Sequence, residues 1–267
     1  MTAVNLNRLR HQIQTVISHF DSPVEFHQAL RGLFSLYANY ALRFGEMAPI
    51  QPLIPMYHLP QPVLRQLNLD LKSRIDADPD AALALADELW QDSYYEIKRT
   101  AIFILGSLSI DDPQPILQRV ERWLTPDLDQ VLEADLLSTG TRSLHESFPE
   151  AWEEMINTLL SQADPKQISL GIQALAAASA RPDLKNLPAV FRLASPFLRN
   201  PHVTYTRDLE RLIETLAQCS PRETGFFLRQ ALSLSTSPAT ARLIKNCLAA
   251  FPADIQADLK SALEQAG

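Results

Sequence analysis

Apolar residues recur along this chain every three or four positions. Leu6, Leu9, Ile13, Val16, Ile17 and Phe20 form one stripe, and Ala29, Leu30, Leu33, Phe34, Tyr37, Ala41 and Phe44 form the next. Ile97, Ala101, Ile104, Leu105 and Leu108 repeat the spacing, as do Ile168, Ile172, Leu175 and Ser179. Such spacing gathers apolar side chains on one face of an α-helix. No segment alternates with the period of two that a half-buried strand needs. The pattern predicts an all-α protein. Helix starts are marked as well as helix faces. Ser or Asp precedes Pro at Ser22-Pro23, Asp78-Pro79, Asp112-Pro113, Asp164-Pro165, Ser220-Pro221 and Ser237-Pro238. The short polar side chain can accept from free N–H groups of the first turn, and proline fits the first helical position. Ser22-x-x-Glu25 and Ser220-x-x-Glu223 read as capping boxes. Phe148-Pro149 and Phe251-Pro252 mark further starts.

The later helices fall into pairs. First members are expected to start near residues 113, 149, 184, 221 and 252, and second members to run near 127–147, 166–180, 204–219 and 238–250. The spacing between first members is close to the period of two-helix HEAT-like repeats. One such pair cannot bury its apolar face alone, so neighbours stack; the expected architecture is a curved HEAT-like solenoid with a concave groove. The expected organisation is a single domain over 1–267. Within it, 1–47 is an N-terminal helix pair, 48–62 an ordered proline-rich connector, and 63–267 the stacked pairs. Gly106, Gly140 and Gly171 fall within second helices, where glycine costs about 1 kcal/mol against alanine; close helix approach is the expected reason.

Composition changes this picture little. The chain has 267 residues with 19 Pro and only 7 Gly, which suits many proline-started helices. No apolar run reaches the roughly 18 residues of a membrane span, and MTAVNLNRLRHQIQ has no signal-peptide core; a cytoplasmic protein is expected. Cys219 and Cys247 are expected as reduced core thiols. No cofactor or metal is expected, since the six histidines lack ligand spacing and no GxGxxG, P-loop or GxSxG occurs.

Charge changes it more. Residues 70–164 hold 20 acidic against 7 basic residues, whereas 181–249 hold 5 against 10. The basic part includes Arg181, Lys185, Arg192, Arg199, Arg207, Arg211, Arg229, Arg242 and Lys245. A basic stripe on a repeat protein can hold a phosphate backbone. The acidic middle opposes nucleic acid wherever its carboxylates face the groove.

The stretch ELWQDSYYEIKRTAIFILG, residues 88–106, resembles the helical-repeat DNA alkylation repair glycosylases, the AlkD-like family. Glu88, Leu89, Trp90, Glu96 and Ala101 match its pattern of Glu-Leu-Trp, a short turn, Glu and an alanine-rich helix. YALRFG (40–45) and PVLRQLNLDL (62–71) are similar to the family's first repeat, and HESFPEAWEEMINTLLSQADPKQISLGIQAL (145–175) follows its helix order. The resemblance extends over roughly residues 37 to 250. It implies hydrolysis of the bond between deoxyribose and a cationic alkylated purine. That reaction needs a carboxylate near the sugar, where positive charge develops, and aromatic faces for the cation.

The family supplies these groups from a Trp-x-x-x-Asp helix, an arginine in the next repeat and a later Gly-Trp helix. Here Asp135 stands at the carboxylate position, with Val131 in place of the tryptophan. Leu170 and Gly171 stand where the arginine is expected, and Arg207 and Arg211 fall in the helix that lacks Gly-Trp. Trp90, Trp123 and Trp152 read as packing residues. Arg142, Arg207, Arg211, Arg242 and Lys245 are the candidate contacts to nucleic acid or another partner. Two functions stay open: a catalytically degenerate binding module for protein or duplex DNA, or an active DNA glycosylase in which Asp135 stabilises the developing sugar cation.

Overall fold

A computed structural model of the chain describes residues 6–39, 52–125, 127–180 and 186–266. Among these residues every regular element is helical, as the apolar spacing predicts. Ala41, Phe44 and the YALRFG stretch lie outside the described residues, as do Arg181, Lys185 and the expected helix start at 184. The chain divides into two compact units, Met1–Pro149 and Glu150–Gly267.

The first unit holds α1 (Leu6–Ile17), α2 (Pro23–Tyr37), α3 (Gln61–Ala77), α4 (Pro79–Trp90), α5 (Tyr95–Leu105), α6 (Gln114–Trp123), α7 (Gln130–Asp135), a π-helical turn (Leu136–Gly140) and α8 (Arg142–Ser147). Helices α1, α3 and α5 stack side by side, and the π-helical turn packs on α5; α2 packs on α4 as a second layer. Apolar stripes meet between the layers. Leu9, Ile13, Leu30, Phe34, Leu67, Leu71, Leu85, Ile97 and Ile104 are fully buried. Leu6 is the exception in its stripe, at 54% exposure. The Asp-Pro start works as expected at α4, where the Asp78 carboxylate accepts from the Ala81 N–H at 2.9 Å.

Residues 52–60 of the connector are non-helical and docked. Leu53 N–H donates to Asp129 at 2.7 Å, the Tyr95 N–H donates to the Pro55 carbonyl at 2.9 Å, and the Tyr57 ring is buried.

Second-unit elements are α9 (Pro149–Leu160), α10 (Pro165–Ser179), α11 (Leu187–Arg199), a 3-10 turn (Val203–Tyr205), α12 (Thr206–Cys219), α13 (Pro221–Leu234), α14 (Pro238–Cys247), a second 3-10 turn (Leu248–Ala250) and α15 (Ala253–Ala266). Here α10, α12 and α14 form one row and α11, α13 and α15 the other. Gly171 lets α10 close on α9: a Cβ there would lie 2.7 Å from Leu160 Cδ2.

Four expectations need correction. The helix expected over 127–147 is broken into α7, the π-helical turn and α8. Gly106 is not inside a helix but follows the end of α5, where a Cβ would fall 1.7 Å from the Thr139 carbonyl oxygen. The close approach anticipated at this glycine is therefore real, and the carbonyl it admits belongs to the π-helical turn. The two capping boxes do not close: Ser22 makes no side-chain cap, and the Ser220 hydroxyl donates instead to Glu223 at 2.5 Å. Cys219 ends α12 exposed, its thiol donating to the Ser179 carbonyl at 3.1 Å, while Cys247 is buried and its thiol is pushed up to about 12 by burial and by nearby Glu210 and Glu214.

Candidate functional site

The stretch that carries the family resemblance joins α4 to α5, and its side chains hold the first unit together. Trp90 stacks flat on Trp123 of α6, with ring centroids 4.4 Å apart. The Lys98 ammonium lies 4.3 Å from the centroid of the Trp90 ring and donates to the Trp90 carbonyl, capping the C-terminal end of α4. His27 of α2 places its two ring nitrogens against Glu88 at 3.0 Å and Asp92 at 2.5 Å. Arg31 grips Asp92 through two nitrogens, at 2.6 and 3.1 Å. Burial alone would push the Asp92 carboxyl up. Hydrogen bonds from Arg31, His27 and the Tyr94 N–H outweigh it and hold the carboxyl down to about 2.

Glu96, only 2% exposed, accepts from the backbone N–H groups of Tyr57 and His58 at 3.0 and 2.8 Å. His58 has a φ of 54°, an uncommon conformation outside glycine, and the Glu96 carboxylate fixes it. Tyr94 stacks on Tyr57 at 4.3 Å. All three tryptophans are buried, with exposures of 9% or less, so they pack as the sequence suggests.

Asp135 ends α7, with its side chain 22% exposed. Tyr95 donates its hydroxyl to Asp135 Oδ2 at 2.7 Å, and Arg99 Nε lies 3.6 Å from the same oxygen. Tyr95 and Arg99 are four residues apart on α5, so they share a face. Burial and the neighbouring Asp135 charge push the Tyr95 hydroxyl well up, which keeps it a donor. The π-helical turn begins directly after Asp135. Its loosened winding leaves carbonyls to other donors, and the Ser138 and Thr141 hydroxyls take those of Ala134 and Leu137, each at 2.6 Å. Val131, four residues before Asp135, is half-buried.

Arg99 also lines a groove of about 660 Å³ bounded by α3, the C-terminal half of α5 and α8. Arg65, Lys72 and Arg142 line it too, with Glu146 as the one acidic lining residue among the described residues. Lys72 is engaged by Asp76 and the Ser107 carbonyl, each at 3.0 Å. Among the described residues, Arg65 and Arg142 make no ion pair. This basic groove lies inside the acidic stretch of sequence. It can do so because many of the carboxylates there are held elsewhere: Asp87 by Arg119 and Arg122, Asp92 by Arg31, Glu96 by the connector, and Asp129 by Leu53 and by Val131 at the start of α7.

The other candidate residues belong to the second unit. Leu170 and Gly171 are buried in α10. Arg207 and Arg211 lie on α12, and Arg242 and Lys245 on α14; none of the four is buried. Among the described residues, no hydrogen bond or ion pair links these four to one another. Between Arg207 and Arg211 stands Asp208, which accepts from Ser169 of α10 at 2.5 Å. Burial pushes its carboxyl up, against the pull of Ser169, Gln173 and Arg211. Sequence reasoning missed Tyr95, Arg99, Arg65 and Lys72. The four-residue spacing of the first pair and the seven-residue spacing of the second were the available signals, each placing two side chains on one helix face.

The first unit thus combines stacked helices, a charged turn that docks a connector, and a part-buried carboxylate whose partner Arg99 lines a basic groove. The sequence model of the DNA alkylation repair enzyme family matches residues 47–202, more than half of the chain, and the chain belongs to that family. Neither the curated proteins nor the solved structures contain a match to it. Among the described residues, no helix is long and apolar enough to cross a membrane.

Proposed function

We propose that this chain is a duplex-DNA-binding module built on the DNA alkylation repair fold, which holds the phosphate backbone in the basic groove of its first unit and no longer releases bases. The observation that carries the reading is the pairing state of the groove. Arg65 and Arg142 line it without an ion pair among the described residues, beside an Asp135 already engaged by Tyr95 and Arg99. Arginines without internal partners are suited to phosphate oxygens, which accept their planar, forked donors. Asp135 is less suited to catalysis. Arg99 offsets its charge, and position 131 carries valine in place of a tryptophan.

A second reading keeps glycosylase activity. It is favoured by one detail: both contacts to Asp135 fall on Oδ2, so a carboxylate oriented by Tyr95 still has Oδ1 to offer a sugar cation. Two measurements separate the readings. Binding of labelled duplex DNA, followed by fluorescence anisotropy over a salt series, is expected to weaken steeply as salt rises, with a log–log slope of about −0.9 per phosphate contacted. Incubation with methylated duplex is expected to release no base. Base release that Asp135→Asn abolishes would establish the second reading. Absence of binding at low salt would overturn both and leave a protein partner as the remaining function.

A further inference from the structure

The outer row of the second unit carries a groove that neither the DNA reading nor the carboxylate site uses. It lies between α11 and α13 and encloses about 630 Å³. Its apolar surface comes from Leu187 and Phe191 on α11 and from Phe226 and Phe227 on α13. Phe191 and Phe227 pack ring to ring at 4.4 Å. Phe226 does not join them in the core; it is 62% exposed. A large aromatic left this open beside an apolar cleft is a feature of interaction surfaces rather than of ordinary solvated faces.

Among the described residues, arginines outnumber acidic side chains around the cleft. Arg192 and Arg222 line it, and Arg229 sits with its guanidinium 5.9 Å from the centroid of the Phe226 ring. Glu223 is the lining residue of opposite sign, and the Ser220 hydroxyl already holds it. The rim also shows what it binds within this molecule: Arg192 takes the Glu153 carboxylate at 2.7 Å while remaining 66% exposed. Both walls are helices, and beyond their first turns the backbone donors and acceptors are bonded within the helices. An extended segment would find no strand edge to pair with here. An occupant must bring its own satisfied backbone, and a helix does.

We infer that the groove between α11 and α13 receives an acidic amphipathic helix of a partner protein, with apolar anchors seated on Leu187, Phe191, Phe226 and Phe227 and carboxylates against Arg192, Arg222 and Arg229. Anchors spaced at i, i+3 or i+4, and i+7 fit a groove of this kind. The inference does not depend on DNA binding, because the residues involved share nothing with the basic groove of the first unit.

The test uses the full chain and a fluorescein-labelled synthetic helix with Leu and Phe at i, i+4 and i+7 and glutamates elsewhere. A second peptide carries lysines in place of the glutamates. The acidic peptide is expected to raise anisotropy in a saturable way, and the basic peptide is not. Phe226→Ala and Arg222→Glu, neither at a buried position, are each expected to weaken binding at least tenfold with unchanged thermal melting. Equal binding of the acidic peptide by wild type and Phe226→Ala would overturn the proposal, as would no binding at all. A concentration-dependent dimer that Phe226→Ala makes monomeric, without peptide binding, would assign the groove to a second copy of this chain instead. Duplex DNA that displaces the peptide and is itself weakened by Phe226→Ala would likewise overturn it.

Discussion

The turn between α4 and α5 and the segment from Asp135 to Arg142 are both rich in charge, and both belong to the first unit. They differ in where their charged groups find partners. In the turn, Glu88, Asp92, Glu96 and Lys98 each meet a group of the protein itself, and most of these contacts join the turn to another element or end a helix. In the second segment Asp135 is partly engaged, and Arg142 faces a groove with no ion pair among the described residues. A charged side chain fully answered from within is an architectural part. A charged side chain left open on a groove wall is available to a ligand. The turn's residues, which carry the resemblance to this family in the sequence, are the architectural ones, so the resemblance there follows the scaffold rather than the chemistry.

The sharpest way to break this contrast is to remove an architectural charge. Glu96→Ala leaves two connector N–H groups without their acceptor, and charge-assisted hydrogen bonds of this kind predict a loss of about 3 kcal/mol in denaturant unfolding. A change below about 0.5 kcal/mol would show that the connector does not depend on the carboxylate. Two other variants are expected to cost somewhat less. Asp92→Asn is expected to lose about 2 kcal/mol at neutral pH, the equivalent of a carboxyl held at about 2 against an ordinary 3.8. Because the folded pKa is the lower one, this stability is fully present above the ordinary carboxylate range. It fades as pH falls through about 4 toward about 2, so the wild-type and Asp92→Asn melting curves should converge there; a constant gap would assign the effect to packing. Gly106→Ala pushes a Cβ against the Thr139 carbonyl, and overpacking against backbone predicts a loss of about 2 kcal/mol. Melting of this variant at the wild-type temperature would show that the π-helical turn yields without cost.

The smallest effects on stability sharpen the other side of the comparison. Arg65→Ala and Arg142→Ala are expected to change unfolding by no more than about 0.5 kcal/mol. Each should nevertheless reduce the salt slope of duplex binding by about one. Unchanged slopes would show that the groove does not hold phosphate.

Helix starts were legible in the amino-acid sequence because Asp-Pro and Ser-Pro act locally. α9 and α13 begin at the expected prolines, and α6 and α15 begin one residue after the expected positions. α11 begins at Leu187, with Asn186 rather than a Ser-Pro or Asp-Pro at its start. The π-helical turn was not legible. Wider winding has no residue code of its own, and here it accompanies a carbonyl seated over Gly106, far away in the chain. Asp135 was legible through the family pattern, whereas its partners were not: Tyr95 reaches it across 40 residues of sequence, and only the packing of α5 beside α7 makes that contact. Cys219 was misread because an apolar stripe loses its meaning at the last residue of a helix, where the next turn no longer covers it.

The π-helical turn also changes how this chain should be lined up with its relatives. In an unbroken α-helix, residues seven apart come back to nearly the same side, and each added residue rotates the remainder of the helix by about 100°. A π-helical turn absorbs roughly one residue without lengthening the helix by a full step. Arg142 therefore does not fall where an uninterrupted helix would place the seventh residue after Asp135. A relative without the widening would match this chain up to Asp135 and then run one position out of step. A column-by-column comparison across Leu136–Gly140 therefore has to allow for this widening before any basic residue beyond it is called equivalent to Arg142.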